Sequence, residues 1–395
     1  MSTLPLEGVR ILDLTRVLAG PLATMILSDL GADVIKIERP GTGDDTRGWG
    51  PPFDSRGQSA YFLSVNRNKL SVAADLGVEA DRALIARLAT DADVVIENFR
   101  PGTLERVGLG ADELLARHPG LTWCTITGFG LESARLGYDF VVQAESGWMS
   151  ITGEADGAPS KIGVALADVL AGKDAAIAIL AALAGRGAAA RRGALRREDS
   201  LNHSSGKGAP SEIASRRLVV SLIHSATSAL VNVAQNALVS GAPPRRWGNA
   251  HPNLVPYQLF DAADRAVVIA VGSDAQFAAC ARALGLEDLA RDASLVTNAG
   301  RLAARDRVVN AIARAVRSES AAHWIARLDA AGVPCGVVKP VLEALESVDA
   351  SPLTGIAPRA PAMVRFAPPL LDEHGAAVRA AGWEAFVQAM DARDR

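Results

Sequence analysis

Cysteine is scarce: Cys124, Cys280 and Cys335 are the only three in a chain of 395 residues. They lie far apart, with no CxxC pair and no histidine at metal spacing, so they read as small buried hydrophobes of a reducing compartment. No metal is expected. A surplus of positive charge is missing too. The formal net charge of -3 argues against a general nucleic-acid binder. The longest apolar stretch, around 162–185, is interrupted by Asp168, Lys173 and Asp174 and does not read as a membrane span. The opening "MSTLPLEGVRILDL" has no basic region leading into an apolar one, so no signal peptide is expected and the location reads as cytoplasmic, with no nucleic-acid or membrane partner. Glycines are lacking where a dinucleotide would need them. The turn "DLTRVLAGPLA" holds one, whereas a pyrophosphate-binding turn needs several for close backbone approach, and Glu38, where a ribose-binding acid would sit, is followed directly by Arg39.

What is present is enough apolar content for large cores. The chain is 49% hydrophobic and 22% charged, and its length suggests two domains by the rule of roughly 150 residues each. Its first half alternates: "VRILDL", "DVIKIERP", "DVVIENF" and "LTWCTITGFG" read as strands, and "PLATMILSDLGA", "EADRALIARLATDA" and "GADELLARHPG" as helices. Alternation of this kind predicts an α/β fold with an open, doubly wound parallel sheet, Rossmann-like, with helices on both faces. Ligands of such sheets sit at the carboxyl ends of strands, which directs attention to Thr15–Gly20, Glu38–Arg47, Glu97–Arg106 and Thr127–Gly130. Residues 186–217 mix Gly, Ala, Ser and Arg without apolar periodicity and read as a flexible linker. Beyond it, "LVVSLIHSATSALVNVAQNALVSG" and the amphipathic stretches up to "VPCGVVKP" read as a separate, smaller α/β layer.

Three stretches hold residues suited to an anionic, partly aromatic ligand. "KIERPGTGDDTRGWGPPF" sets Arg39 and Arg47 among glycines, and guanidinium forks match phosphate or carboxylate oxygens. "VIENFRPGTLERVGL" releases Asn98, Phe99, Arg100 and Arg106 from one strand end, an amide, a stacking face and cations together. "RRWGNAHPNLVPYQLF" gathers Arg245, Arg246, Trp247, His251 and Tyr257 in a Pro-bounded turn. A fourth, "GVALADVLAGKDAAIAILAAL", puts the carboxylate of Asp168 at the mouth of an apolar helix whose face carries Ile177, Leu180 and Leu183. Small neighbours (Ala165, Ala167, Ala171, Gly172) leave it unshielded. Two readings stay open on these residues alone: a helix N-cap, or a reactive acid.

Together these stretches resemble the family III CoA-transferases, the group of formyl-CoA and carnitine CoA-transferase. The resemblance runs from "VRILDLTRVLAGP" to "APPLLDEHG" and is most specific in "GADVIKIERPGTGDDTRGWGPPF", "YFLSVNRNKLS", "VIENFRPGTLERVGLG", "GYDFVVQAESGWMSITG" and "GVPCGVV". Within the family, "GDDTRGWGPPF", "SVNRNK" and "RRWGNAHPNLVPYQLF" look most like the succinate–hydroxymethylglutarate (glutarate) branch. The resemblance implies a CoA-transferase moving CoA from an acyl-CoA, succinyl-CoA being the expected donor, to a free carboxylic acid, with acyl-CoA as substrate and no tightly bound cofactor. It makes Asp168 the nucleophile that carries CoA as an aspartyl thioester. It sets Tyr138 beside the acyl group and Val17, Arg39, Asn98, Phe99 and Arg106 against CoA. Arg47, Arg245, Arg246 and His251 are the candidates on the acyl side. It also implies an interlocked homodimer, and a large CoA-binding domain of residues 1–190 completed by about 331–395, with a small domain over 225–330.

Several features depart from the family pattern. The related α-methylacyl-CoA racemases carry a His in a "GHD" triplet where this chain has Tyr138, and a phenol, which ordinarily ionises near roughly pH 10, is a poor base at neutrality. Transfer is therefore favoured over racemisation, the alternative on the same scaffold; a non-catalytic CoA-binding protein is the other alternative. His224 stands where many relatives carry Asp, the 186–217 segment is longer than the resemblance leads one to expect, and the glycine-run loop of formyl-CoA transferase is missing, which disfavours oxalate as acceptor.

Overall fold

A computed structural model describes residues 4–198 and 214–393. The chain divides into two compact units, one of residues 1–148, 162–234 and 348–395, the other of 149–161 and 235–347.

The first unit is built on six strands: β1 (Arg10–Asp13), β2 (Asp33–Glu38), β3 (Lys69–Ala73), β4 (Val94–Glu97), β5 (Thr122–Thr127) and β6 (Arg217–Ser221). Their order is β3-β2-β1-β4-β5-β6 and every pairing is parallel, with Leu12 opposite Ile35 on one side and Val95 on the other. Side chains alternate across the sheet. Leu12, Ile35, Leu70, Val95 and Trp123 feed one core, beneath α2 (Glu79–Thr90), α3 (Ala111–Arg117) and the returning C-terminal residues Val378, Trp383 and Phe386. Ile11, Val34, Val94, Ile96 and Cys124 feed the other, beneath α1 (Ala19–Asp29), α5 (Leu166–Glu198) and α6 (Leu222–Ser228). Between them in sequence lies α4 (Asp139–Glu145).

Three readings of the sequence change here. The run after residue 217 supplies the sixth strand of this sheet rather than opening a separate layer. The expected linker is in part helix, because α5 continues through Glu198; residues 199–213 lie outside the described residues. Strand β3 goes unread in the sequence because its alternate positions, Lys69 and Ser71, are polar although fully buried.

The second unit is described by itself. An antiparallel sheet of β7 (Tyr257–Asp261), β8 (Ala266–Ala270) and β9 (Cys335–Val337) packs with α7 (Asp274–Ala283), α8 (Arg305–Val316) and α9 (Ala321–Ala330) around Phe260, Ile269, Phe277, Ile312 and Trp324. Residues 331–347, expected to close the large domain, belong to this unit: Cys335 and Val337 pair with Ile269 and Val267. Among the described residues no helix is long and apolar enough to cross a membrane.

Candidate active site

The carboxyl ends of the parallel strands open on a cavity of about 310 Å³ within the first unit. Arg16–Ala19 follow β1, Asp45 lies in the loop after β2, Asn98–Pro101 follow β4, and Gly128 follows Ile126 and Thr127 at the end of β5. The segment Ser133–Tyr138, Asp168 and Leu222 complete the wall. Gly128 and Gly137 cross here so closely that a Cβ on either would strike the other's Cα, so neither position admits a side chain. A second cavity, of about 420 Å³, lies beyond Arg16, Phe99 and Arg100, which line both, and adds Arg39, Leu76 and Thr103.

Asp168 is the third residue of α5, and it does not cap the helix. The amide of Ala167 is taken by another acid: it donates to Asp139 Oδ1 at 2.8 Å. Asp139 Oδ2 accepts from Gln143 Nε2 at 2.7 Å, and Gln143 also receives Ile162 N–H at 2.8 Å and donates to Val164 O at 3.2 Å. One turn of α4 therefore clamps the approach to α5. The Asp168 carboxylate forms no ion pair or hydrogen bond among the described residues, although it is partly open to the cavity. Burial, with the like charge of Asp139 beside it, pushes its pKa up to about 7. Tyr61, half-buried, feels the same charge: burial and then Asp168 and Asp139 push its phenol upward. Tyr138 stands at the start of α4 with its side chain exposed at the cavity wall.

The small residues around Asp168 have a different use from the one the sequence suggests. Ala167 and Ala171 are fully buried, and a Cβ at Gly172 would come 2.6 Å from the carbonyl oxygen of Ala19. They let α1 and α5 pack backbone to backbone. The buried line runs through Ala167, Ala171, Ala175 and Ile179, while Ile177, expected on the apolar face, is 63% exposed.

The anion candidates separate. Arg39 leaves the end of β2 with its side chain 52% exposed, 4.0 Å from Asp45. Phe99 lies under the guanidinium of Arg16, 5.3 Å from its centroid. Arg100 lines both cavities and forms no ion pair among the described residues; the sequence named it without assigning it a role. Arg106 lies outside both cavity walls, and among the described residues its side chain reaches Thr103 Oγ1, at 3.4 Å. Asn98 spans the backbone of Arg16, accepting its N–H at 3.0 Å and donating to its carbonyl at 2.9 Å.

Arg47 is bonded within the fold. Its guanidinium is 9% exposed and forks onto Glu38, with Nε–Oε2 and Nη2–Oε1 both 2.7 Å, while Nη1 donates to Gln58 and to the carbonyl of Pro369. Four of its five N–H donors are engaged within the fold, so a substrate carboxylate would compete with Glu38 for it. Arg245, Arg246 and His251 belong to the second unit. Arg245 stacks on Trp247 at 4.0 Å, Arg246 donates to the carbonyls of Glu154 and Gly157, and His251 Nδ1 accepts from Asn253 N–H at 3.0 Å. Burial and the nearby Arg305 lower the His251 pKa, which keeps it neutral.

Sequence reading missed the charged layer beneath the cavity. On the α1 face of the sheet, Asp13, Lys36, Glu38 and Lys69 are all buried. Lys36 Nζ meets Asp44 at 3.0 Å and Lys69 Nζ meets Asp13 at 3.2 Å. Burial alone would raise the Asp13 carboxyl, but Lys69, Lys36 and two threonine donors hold it at about 2. Burial lowers Lys69 to about 8, still charged at neutrality.

Comparison with known proteins completes this picture. The model of "CoA-transferase family III" matches residues 6–194 and 212–356. The chain belongs to that family. It is 42% identical over 340 residues to succinyl-CoA:glutarate CoA-transferase of Mus musculus, covering 85% of this chain and 72% of that one. To succinate–glutarate CoA-transferase of Agrobacterium fabrum it is 40% identical, with 86% and 81% covered. Acetyl-CoA:oxalate CoA-transferase of Acetobacter aceti is 38% identical, with 86% and 82% covered. Among solved structures, a CAIB/BAIF family protein from Brucella suis superposes with a TM-score of 0.79 at 38% identity, covering 96% of this chain and 99% of that one. The protein is thus a CoA-transferase, an enzyme whose substrates are CoA thioesters.

Proposed function

We propose that this enzyme moves CoA from succinyl-CoA to a second dicarboxylic acid through a covalent aspartyl-CoA intermediate on Asp168. The observation that carries the reading is the state of that carboxylate. It lines the strand-end cavity, forms no ion pair among the described residues, and is pushed up to a pKa of about 7 by burial and Asp139. A desolvated, more basic carboxylate is a better nucleophile than a solvated one, and a pKa near neutrality leaves part of it ionised at neutral pH.

In the proposed sequence an Asp168 oxygen attacks the thioester carbonyl, CoA thiolate leaves, and an acyl–aspartyl anhydride remains. The thiolate then attacks the aspartyl carbonyl, forming the Asp168–CoA thioester and releasing the first acid as carboxylate. The second acid attacks that thioester, and the same two steps run in reverse. Asp139 serves by fixing the start of α5 through Ala167. Arg39, Arg100 and Arg16 supply cations toward CoA phosphates, with Phe99 as a stacking face, while Val17 and Asn98 shape the turn between them; Arg106 would reach a phosphate only from outside the cavities. Tyr138 offers a hydrogen bond on the acyl side rather than a base, which disfavours racemisation. The relatives named for glutarate support a dicarboxylate acceptor, and the interlocked homodimer typical of the family is part of the proposal, to be read by light scattering at micromolar concentration.

The test is succinyl-CoA offered with a panel of acids, glutarate and oxalate included, with products followed by mass. Transfer to C4–C6 dicarboxylates, lost by several orders of magnitude in Asp168→Asn, supports the reading. Transfer to oxalate alone would move the acceptor to the class named for the Acetobacter relative, and near-normal turnover in a folded Asp168→Asn protein would end the mechanism.

A further inference from the structure

The turn between β1 and α1 holds a conformation its own sequence disfavours. Val17 has φ of +72°, in the left-handed region that a β-branched residue avoids. Such a residue persists only where its surroundings over-determine it, at a cost equivalent to a factor of about 5–150 in an equilibrium. Here each backbone polar group from Thr15 N to Val17 N is held by a buried or partly buried side chain. Thr15 N–H donates to Asp13 at 2.9 Å, and Lys36 Nζ donates to Thr15 O at 2.7 Å. Asn98 takes both groups of Arg16. Val17 N–H donates to both oxygens of Asp44, each at 3.2 Å.

Asp44 is itself fixed. Lys36 Nζ lies 3.0 Å from Oδ2, and Thr46 donates to Oδ1 from its amide at 3.0 Å and its hydroxyl at 2.8 Å. Both side chains of the Lys36–Asp44 pair are completely buried. A buried ion pair is weak evidence for stability, since desolvation offsets most of its attraction, so its presence under a cavity wall calls for another use. Arg16, Val17 and Leu18 form that wall.

We propose that Asp44, backed by Lys36, is a positioning residue for the acyl-CoA site: its carboxylate holds Val17 in the left-handed turn that lines the cavity beside Asp168. The inference rests on the proposed use of that cavity for CoA. Asp44 touches no substrate. Without its second oxygen Val17 relaxes toward negative φ and carries Arg16 and Leu18 out of place.

The test is a double-mutant cycle in the full-length enzyme, read as KM for succinyl-CoA in transfer and as Kd for free CoA by calorimetry. Asp44→Asn keeps the shape but removes the charge, and it should raise both constants about tenfold, the equivalent of releasing the smaller estimates of such strain. Glycine holds positive φ without penalty. In a Val17→Gly background the same substitution should therefore change both constants by less than about threefold. Equal tenfold changes in both backgrounds, or none in either, would overturn the proposal. Should the unpaired Lys36 prevent folding, the Lys36→Met/Asp44→Asn pair replaces Asp44→Asn in the cycle, with the same expected and contrary results. Asp168→Asn in the same assays separates the two ideas. Transfer lost with CoA binding kept sustains the functional reading whatever the coupling, whereas loss of that pattern undermines the reading itself.

Discussion

Replacing Asp168 by Asn should abolish transfer and at the same time stabilise the protein, increasingly so as pH rises. The carboxyl has a pKa of about 7 in the fold against an ordinary value of 3.8, so the folded state binds its proton more tightly than the unfolded chain does. An acid whose folded pKa is raised favours the fold most below pH 3.8, and that advantage is lost progressively as pH rises to about 7. Between pH 5 and 7, about two pH units, the loss is about 3 kcal/mol at 1.36 kcal/mol per unit, and above pH 7 it levels off. Asn has no such titration. Favourable interaction of the charged form with the helix N-terminus, about 0.3–1 kcal/mol, offsets part of that loss. Urea unfolding of wild type and Asp168→Asn, followed by tryptophan fluorescence at pH 5 and pH 8, should show the variant gaining by a few kcal/mol at the higher pH relative to the lower. The transition of the first unit is the one to fit, since a chain of two units need not unfold in one step. A stability difference that does not change between the two pH values would refute the argument that Asp168 is buried as a strained carboxylate.

Arg47→Ala should act on stability and not on the choice of acid, because it strands Glu38 in the core; a loss of about 3–5 kcal/mol is the usual result of breaking a buried pair, with relative rates for different acids unchanged. Arg39→Ala should raise KM by a similar factor for every CoA ester, and a factor that varied with the acyl group would reassign Arg39 to acyl selection.

The sheet was legible because buried strands and amphipathic helices alternate in the first half of the chain, and the four loops singled out at strand ends are the four that meet at the cavity. What escaped reading has a common cause. Lys36, Glu38, Lys69 and Ser71 stand at alternate positions of β2 and β3, where a sheet covered on both faces should carry apolar side chains. Those polar residues hid β3, yet charge at every second position of a buried strand was the available signal for the layer below the site. Spacing alone left Arg47 looking like a free cation, since nothing local reveals that Glu38, Gln58 and the distant carbonyl of Pro369 accept from it. Asp168 resembled a cap because the acid that does accept from the first turn, Asp139, comes from 28 residues upstream of Ala167. The pair Asp139 and Gln143, four apart on one helical turn, could have pointed to it.

The central claim is that Asp168 carries CoA, and trapping tests it most directly. Enzyme incubated with succinyl-CoA and no acceptor, treated with borohydride or hydroxylamine and digested, should yield a peptide modified at Asp168, because an aspartyl thioester is electrophilic and a free carboxylate is not. Modification at another acid such as Asp139, or an Asp168 peptide of unchanged mass under conditions where transfer to an added acid is rapid, would contradict the account.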